Sequence, residues 1–254
     1  MLYHEVVKAF REREEKDLLD RFFLKFTYSS NRIENNETRL RDVETVFKGE
    51  KVITFKGNKK TITEIENHKK LCQSILQLCK ENNTKLSILL IKQFHYVLMK
   101  GCFTEELLLK GEKPGEFKKG DYVIGLYDVG VEALDVEENL ISLIQEINNV
   151  EITETNALKV VSYFHCWFEA IHPFADGNGR IGRVLINYLL IANNLPPIVL
   201  FENDCEEYYL ALEYFNSKQE INKMVKFLNE QAYKTWVKNY NVKLKSLKDF
   251  LDQN

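Results

Sequence analysis

With 254 residues, 44% of them apolar and only 11 Gly and 4 Pro, the chain can bury a one-domain core without metal or disulfide staples, and it lacks the turn residues an all-β fold needs. A net charge of -3, with 35 basic and 38 acidic residues interleaved, leaves no electrostatic footprint for nucleic acid or an anionic membrane. Cys72, Cys79, Cys102, Cys166 and Cys205 form no C-x-x-C pair, and no apolar run nears the ~18 residues of a membrane span, so a reducing, cytoplasmic setting is expected.

Apolar residues at Val6, Val7, Phe10, Leu18, Leu19, Phe22, Phe23 and Phe26 recur mostly at intervals of three, four or one and predict amphipathic helix, in one or two pieces, over residues 3–35. A helix is expected over 39–48, closed by Gly49. Thr63 with Glu66 reads as a capping box for a helix through Cys72, Ile75 and Leu78, and Ser87 as the N-cap of a helix ending at Gly101. Between 113 and 130, turn residues frame the β-prone run around Val123 and Ile124, the one hairpin candidate. Helices resume over 135–149, 156–171, 180–194, 205–215 and 218–251, the last opened by Ser217 with Glu220. No repeat or linker divides the chain. A single all-α domain with one short β-hairpin is expected over 1–254, comprising an N-terminal region 1–36, the hairpin 113–130, a helix-loop-helix core 157–194 and C-terminal helices 205–254.

The chemistry concentrates in His172-Pro173-Phe174-Ala175-Asp176-Gly177-Asn178-Gly179-Arg180-Ile181-Gly182-Arg183, between two helices that are apolar almost all round. Pro173 disfavours the α conformation at His172, so the first helix ends there and the second starts near Asn178 or Gly179. Gly177 and Gly179 can take backbone angles that let successive N–H groups converge on an anion, a phosphate cradle at a helix N-terminus. Arg180 and Arg183, three apart, can share a face and grip further phosphate oxygens. Asp176 is a hard oxygen ligand for Mg²⁺ beside phosphates, and His172 suits proton removal from an attacking hydroxyl.

Gly177-x-Gly179-x-x-Gly182 is also a literal G-x-G-x-x-G, with Glu202 at the spacing a dinucleotide fingerprint asks. Its glycines follow Pro-Phe-Ala-Asp after a helix, however, in a chain without alternating βα units. His4, His68, His95 and His165 form no metalloenzyme motif, and His165 with Cys166 reads as core.

The twelve-residue segment resembles the signature of the Fic family, H-P-F-x-[DE]-G-N-G-R-x-x-R, at every fixed position. The resemblance implies a helical enzyme that transfers AMP from MgATP to a Ser, Thr or Tyr hydroxyl of a protein target. It casts His172 as general base, Asp176 as Mg²⁺ ligand, Asn178 and the glycine amides as holders of the α- and β-phosphates, and Arg180 and Arg183 as the grip on the β- and γ-phosphates. Gly115-Glu116-Phe117 leading to Val123-Ile124-Gly125 resembles the family's target-docking flap, with Lys118 where the family often has Arg. Tyr208-Tyr209 and Asn216 resemble the segment that closes over adenosine, although buried tyrosines are as readily core.

Upstream, Ser30-Asn31-Arg32-Ile33-Glu34-Asn35 fits [S/T]-x-x-x-E-[G/N], similar to the inhibitory motif of the class with an N-terminal inhibitory helix. This implies a Glu34–Arg183 pair in place of the γ-phosphate, and a de-AMPylating second activity. Expected partners are a protein target and the chain itself, with no nucleic acid or membrane, and a homodimer is the default assembly. The alternative is an autoinhibited scaffold that binds nucleotide or protein without catalysis.

Overall fold

The computed structural model of the protein describes residues 2–12, 18–53, 57–80, 85–124 and 127–238. Along these residues run α1 Leu2–Arg11, α2 Leu18–Glu34, α3 Leu40–Phe47, α4 Lys59–Lys80, α5 Ile88–Met99, α6 Glu105–Leu109, β1 Tyr122–Ile124, β2 Tyr127–Val129, α7 Val136–Asn148, α8 Ala157–Ile171, α9 Asn178–Ala192, α10 Cys205–Lys218 and α11 Asn222–Tyr233. A 3-10 turn at Glu202–Asp204 and a π turn at Lys234–Lys238 complete the set. The two strands pair antiparallel with Tyr122 opposite Val129 and Ile124 opposite Tyr127. No helix among the described residues is long and apolar enough to cross a membrane.

Helices α8 and α9 form the centre, as their all-round apolar sequences require: Val161, Phe164, Phe168, Ile181, Val184, Leu185 and Leu190 are fully buried. Around this pair pack α2, α4, α5, α7, α10 and α11. Helix α2 has two unlike halves. Its first half sets Phe22, Phe23 and Phe26 into the core, while its second buries Ser29, Ser30 and Asn31 against polar partners. Trp236 stacks on Phe22, meets Phe10 edge-on and donates its indole N–H to Pro197 O at 2.6 Å, which ties the chain beyond α11 to α1 and α2.

Three expectations about helix ends are met and two need correction. Gly49 takes φ 80 after α3 and Gly101 φ 74 after α5, and Ser87 Oγ accepts from Leu90 N at 3.1 Å. The Thr63–Glu66 capping box does not form. Helix α4 begins a turn earlier, where Asn58 Oδ1 accepts from Lys60 N, and Thr63 Oγ1 turns back to Lys59 O inside the helix. Ser217 likewise opens nothing. Helix α10 runs through it to Lys218, and the break falls at Gln219, a left-handed residue (φ 58). The expected 218–251 helix is therefore α11 plus the π turn as far as 238, with 239–254 outside the described residues.

Candidate active site

Helix α8 ends at Ile171, and His172 adopts the left-handed region (φ 51, ψ 63) while its N–H still bonds Phe168 O at 3.0 Å. Such a conformation is costly for a residue with a side chain and persists only where the surroundings enforce it. Here the stem of the β-pair grips both flanking carbonyls: Val131 N donates to Ile171 O at 3.2 Å and Lys118 N to Pro173 O at 2.9 Å. Gly130 (φ 82) passes so close that a Cβ would stand 2.5 Å from His172 Cβ. Only glycine fits there.

The loop beyond is held from within. Asn178 Oδ1 accepts from Phe174 N at 2.9 Å and its Nδ2 donates to Phe174 O at 2.7 Å. Its buried side chain clamps the loop through both its oxygen and its nitrogen. Gly177 (φ 88) stands at the N-cap of α9, and a Cβ on it would meet Met99 Sδ at 2.6 Å. His95, which the sequence reading left without a role, joins the loop to the turn that leads into the strands. Its Nε2 bonds Asp176 O at 2.9 Å, its Nδ1 accepts from Gly115 N at 2.8 Å, and its ring stacks on Phe174 with centroids 3.7 Å apart.

At the N-terminus of α9 the first N–H groups have no intrahelical acceptor and carry the positive end of the helix dipole. Beside them lies the fully buried Arg183, whose Nε donates to Ser30 Oγ at 3.0 Å and whose Nη2 donates to Ser30 O at 3.0 Å and to Glu34 Oε1 at 2.7 Å. Its Nη1 is buried and has no acceptor among the described residues. The helix bearing Ser30 and Glu34 thus delivers both to Arg183. One residue before Ser30, Ser29 Oγ donates to Glu202 Oε2 at 2.7 Å; one residue after Glu34, Asn35 Nδ2 donates to Thr61 Oγ1 at 2.9 Å. The second half of α2 is anchored by polar contacts.

Arg180 points elsewhere. Its Nη1 donates to Glu64 Oε1 at 2.8 Å and its Nη2 to Asp176 Oδ1 at 3.3 Å, while Lys60 Nζ lies 3.8 Å from a carboxylate oxygen of each. These four charges, with Glu34 and Asn35, line a cavity of about 350 Å³. Arg180 Nε is buried with no acceptor among the described residues. Although three apart on α9, the two arginines therefore serve two neighbouring subsites.

Burial above all, and then the Lys118 charge, lower the His172 pKa to about 4. For Glu34, burial alone would raise the pKa, but the Arg183 charge and hydrogen bond outweigh it and the carboxyl titrates below its ordinary value. Glu169, one turn before His172, is pushed up to about 8 by burial, against the opposing pull of Arg183. Its Oε1 is 3.9 Å from His165 Nε2, and a Cβ on Gly182 would come within 2.5 Å of it.

Tyr208 is buried beneath Arg183, with its ring 5.8 Å from the guanidinium and its hydroxyl 2.8 Å from His165 Nε2. Tyr209 is half exposed and Asn216 exposed on the outer side of α10. Strand β1 contains Val123 and Ile124, whose side chains lie outside the described residues, as does Gly125. The sequence reading missed Lys60, Glu64, His95 and Glu169. A lone His on the buried face of α5 and a lone Glu near the end of the largely apolar α8 were the available signals; Lys60 and Glu64, in a mixed-charge helix, offered none.

Residues 85–190 match the model of the Fic/DOC family. The chain is similar to a probable protein adenylyltransferase of Aquifex aeolicus, 37% identical over 109 residues, covering 42% of this chain and 33% of that protein. It is also similar to the protein adenylyltransferase Fic of Drosophila persimilis, 32% identical over 89 residues, or 35% of this chain and 17% of that one. These matches therefore span a third or less of the relatives' own lengths. Among solved structures, a Fic domain containing signaling protein from Bacteroides thetaiotaomicron superposes with a TM-score of 0.77 at 19% identity, covering 93% of this chain and 94% of that one, a likeness of fold.

Proposed function

The chain is a Fic-family protein, and on that premise we propose that it is a protein adenylyltransferase that moves AMP from MgATP onto a Ser, Thr or Tyr hydroxyl of a target protein and is held in check by Glu34. One observation carries the reading: the buried Arg183 lies against the first turn of α9 with one N–H group free of any acceptor among the described residues and another committed to the Glu34 carboxylate. An anion-binding helix end with a buried guanidinium is suited to a polyphosphate, and a carboxylate already stands in that place.

In this reading Glu34 gives way to the γ-phosphate, and Arg183, the α9 amides and Arg180 orient the donor. His172, neutral above a pKa of about 4, takes the proton of the target hydroxyl as its oxygen attacks the α-phosphorus. The bond from that phosphorus to its bridging oxygen breaks, and pyrophosphate leaves toward the arginines. The Asp176 carboxylate, 31% exposed at the cavity beside Arg180, is a hard donor that fits Mg²⁺, an ion commonly held by one or two carboxylates together with phosphate oxygens. When bound, Mg²⁺ supplies neutralisation of the phosphate charge. The family resemblance assigns adenosine to the Tyr208–Tyr209 side of the site, and in this reading the β-pair aligns the target segment by main-chain pairing. In this reading, and in the absence of ATP, the Glu34 carboxylate orients a water that removes AMP from a modified target.

The test is intact-mass analysis after incubation with MgATP. The Glu34→Gly variant is expected to gain the mass of AMP, on itself or on added candidate targets, and the Glu34→Gly, His172→Ala double variant to gain none. Tight ATP binding without any AMP transfer in the Glu34→Gly protein would replace this reading with that of a nucleotide-binding module.

A further inference from the structure

His95 takes no part in the chemistry above, yet it is fully buried where α5, the turn into the strands and the His172–Arg183 loop meet. Its two ring nitrogens face opposite demands. Gly115 offers an N–H at 2.8 Å, so Nδ1 must present a lone pair, and Asp176 offers a carbonyl at 2.9 Å, so Nε2 must carry the proton. A single neutral tautomer satisfies both. The ring is also fixed in plane, stacked on Phe174 with an interplanar angle of 3°. Phe174 is itself the residue that Asn178 clamps through both main-chain groups.

Gly115 takes φ 84, and a Cβ on it would meet Tyr96 at 2.9 Å, so this turn sits against α5 with no slack. Three residues on, Lys118 N holds Pro173 O. The strand approach and the loop are thus joined by hydrogen bonds of the main chain and of the His95 ring, and Phe117 packs on Phe174 between them with ring centroids 5.6 Å apart.

We propose that His95 is a positioning residue that sets the Asp176 main chain, and with it the carboxylate assigned to Mg²⁺, in register with the turn that leads to the target-docking strands. This rests on the adenylyltransferase reading for its catalytic consequence, while the contact itself can be tested without activity. Second-layer groups that orient a ligand residue typically change metal affinity or rate by about 10–100-fold when removed.

The experiment uses the full chain in the Glu34→Gly background with His95→Phe and His95→Gln. Phenylalanine keeps the stack and removes both hydrogen bonds; glutamine restores a donor toward Asp176 O. His95→Phe is expected to raise the Mg²⁺ concentration for half-maximal AMP transfer by about tenfold and to lower kcat, with metal-free ATP affinity by calorimetry unchanged; His95→Gln should recover part of both. Equal Mg²⁺ dependence in parent and His95→Phe would overturn the proposal. In parallel, nitrogen-15 NMR of the His95 ring in the wild-type chain should show Nε2–H with Nδ1 unprotonated, and the Gly115 amide should be protected from exchange. The opposite tautomer overturns it even if neither variant folds. A parent with no AMP transfer strikes the enzymatic reading alone; the Mg²⁺ dependence of ATP binding and the ring tautomer then decide on His95.

Discussion

The Glu34 carboxylate rests directly on Gly179: a Cβ at that glycine would stand 2.6 Å from Glu34 Oε1 and 3.0 Å from Arg183 Nη1. The same few cubic ångströms thus serve the carboxylate in this structure and an anion in the proposed reaction. Gly179→Ala should disturb both. In the Glu34→Gly background it is expected to weaken ATP binding by about tenfold through crowding of the cradle. In the wild-type background the loss should be smaller, because the added methyl also loosens Glu34. Calorimetry on the four proteins of this cycle gives the coupling between the two sites directly; a coupling of zero would show that they do not share the space.

Removing Glu34 has an energetic side apart from activity. Arg183 keeps Ser30 but loses a charge-assisted bond in a buried setting. Glu34→Gly is expected to lower Tm at pH 7 by roughly 3–6 °C, about 1–2 kcal/mol for a chain of this size. The folded-state pKa of Glu34 is depressed, so its contribution is present above the unfolded pKa and is lost as pH falls through the folded one. The Tm difference between wild type and variant should therefore shrink toward acid pH, which differential scanning fluorimetry across pH 3–7 would reveal.

A histidine base with a pKa of about 4 predicts an unusual acid limb. For the Glu34→Gly enzyme, kcat/KM should stay level as pH falls through 6 and decline only near 4, provided the protein remains folded. Burial is the first cause of the low value and the Lys118 charge the second. Lys118→Met should accordingly move the limb upward, toward the ordinary range of an imidazole. An unchanged limb in Lys118→Met would remove that lysine from the electrostatics of His172.

Glu169 gives the opposite sign. Its carboxyl holds its proton up to a pKa of about 8 in the folded state, whereas an unfolded glutamate releases it near ~4.3. The folded state binds more protons between those values, so this residue makes stability fall as pH rises through them. Glu169→Gln should raise Tm at pH 8 by several degrees and leave it unaltered near pH 4. Equal effects at the two pH values would mean that Glu169 is ionised in the folded protein.

Sequence served best where periodicity or punctuation spoke alone. The apolar faces of α8 and α9, Ser87 at its cap and Gly49 and Gly101 at helix ends follow from local chemistry. The helix joining Ser30 to Glu34 was legible too, and its meeting with Arg183 followed from the family resemblance. Thr63 and Ser217 misled because a hydroxyl also occurs inside a helix, where it bonds a carbonyl of the preceding turn, and a Glu three residues on does not reveal which end of a helix is near. The Glu64–Arg180 pair, 116 residues apart, has no local trace at all. The use of Asn178 as a clamp was invisible for a related reason: which of its donors and acceptors remain free is settled only when the loop closes on Phe174.

The divided character of α2 bears on how the proposed inhibition scales. Phe22, Phe23 and Phe26 moor the first half of the helix in the core, so the Glu34 carboxylate is delivered to Arg183 by its own chain at a local concentration of millimolar order or above, as for any short intramolecular connection. That concentration is a property of the fold and does not fall when the protein is diluted, nor rise when more of it is made. In the proposed enzyme, at a given pH, the nucleotide and not the amount of protein then sets whether Glu34 occupies the guanidinium. A cell could change the amount of this protein many-fold without altering the fraction of molecules that stand unlocked.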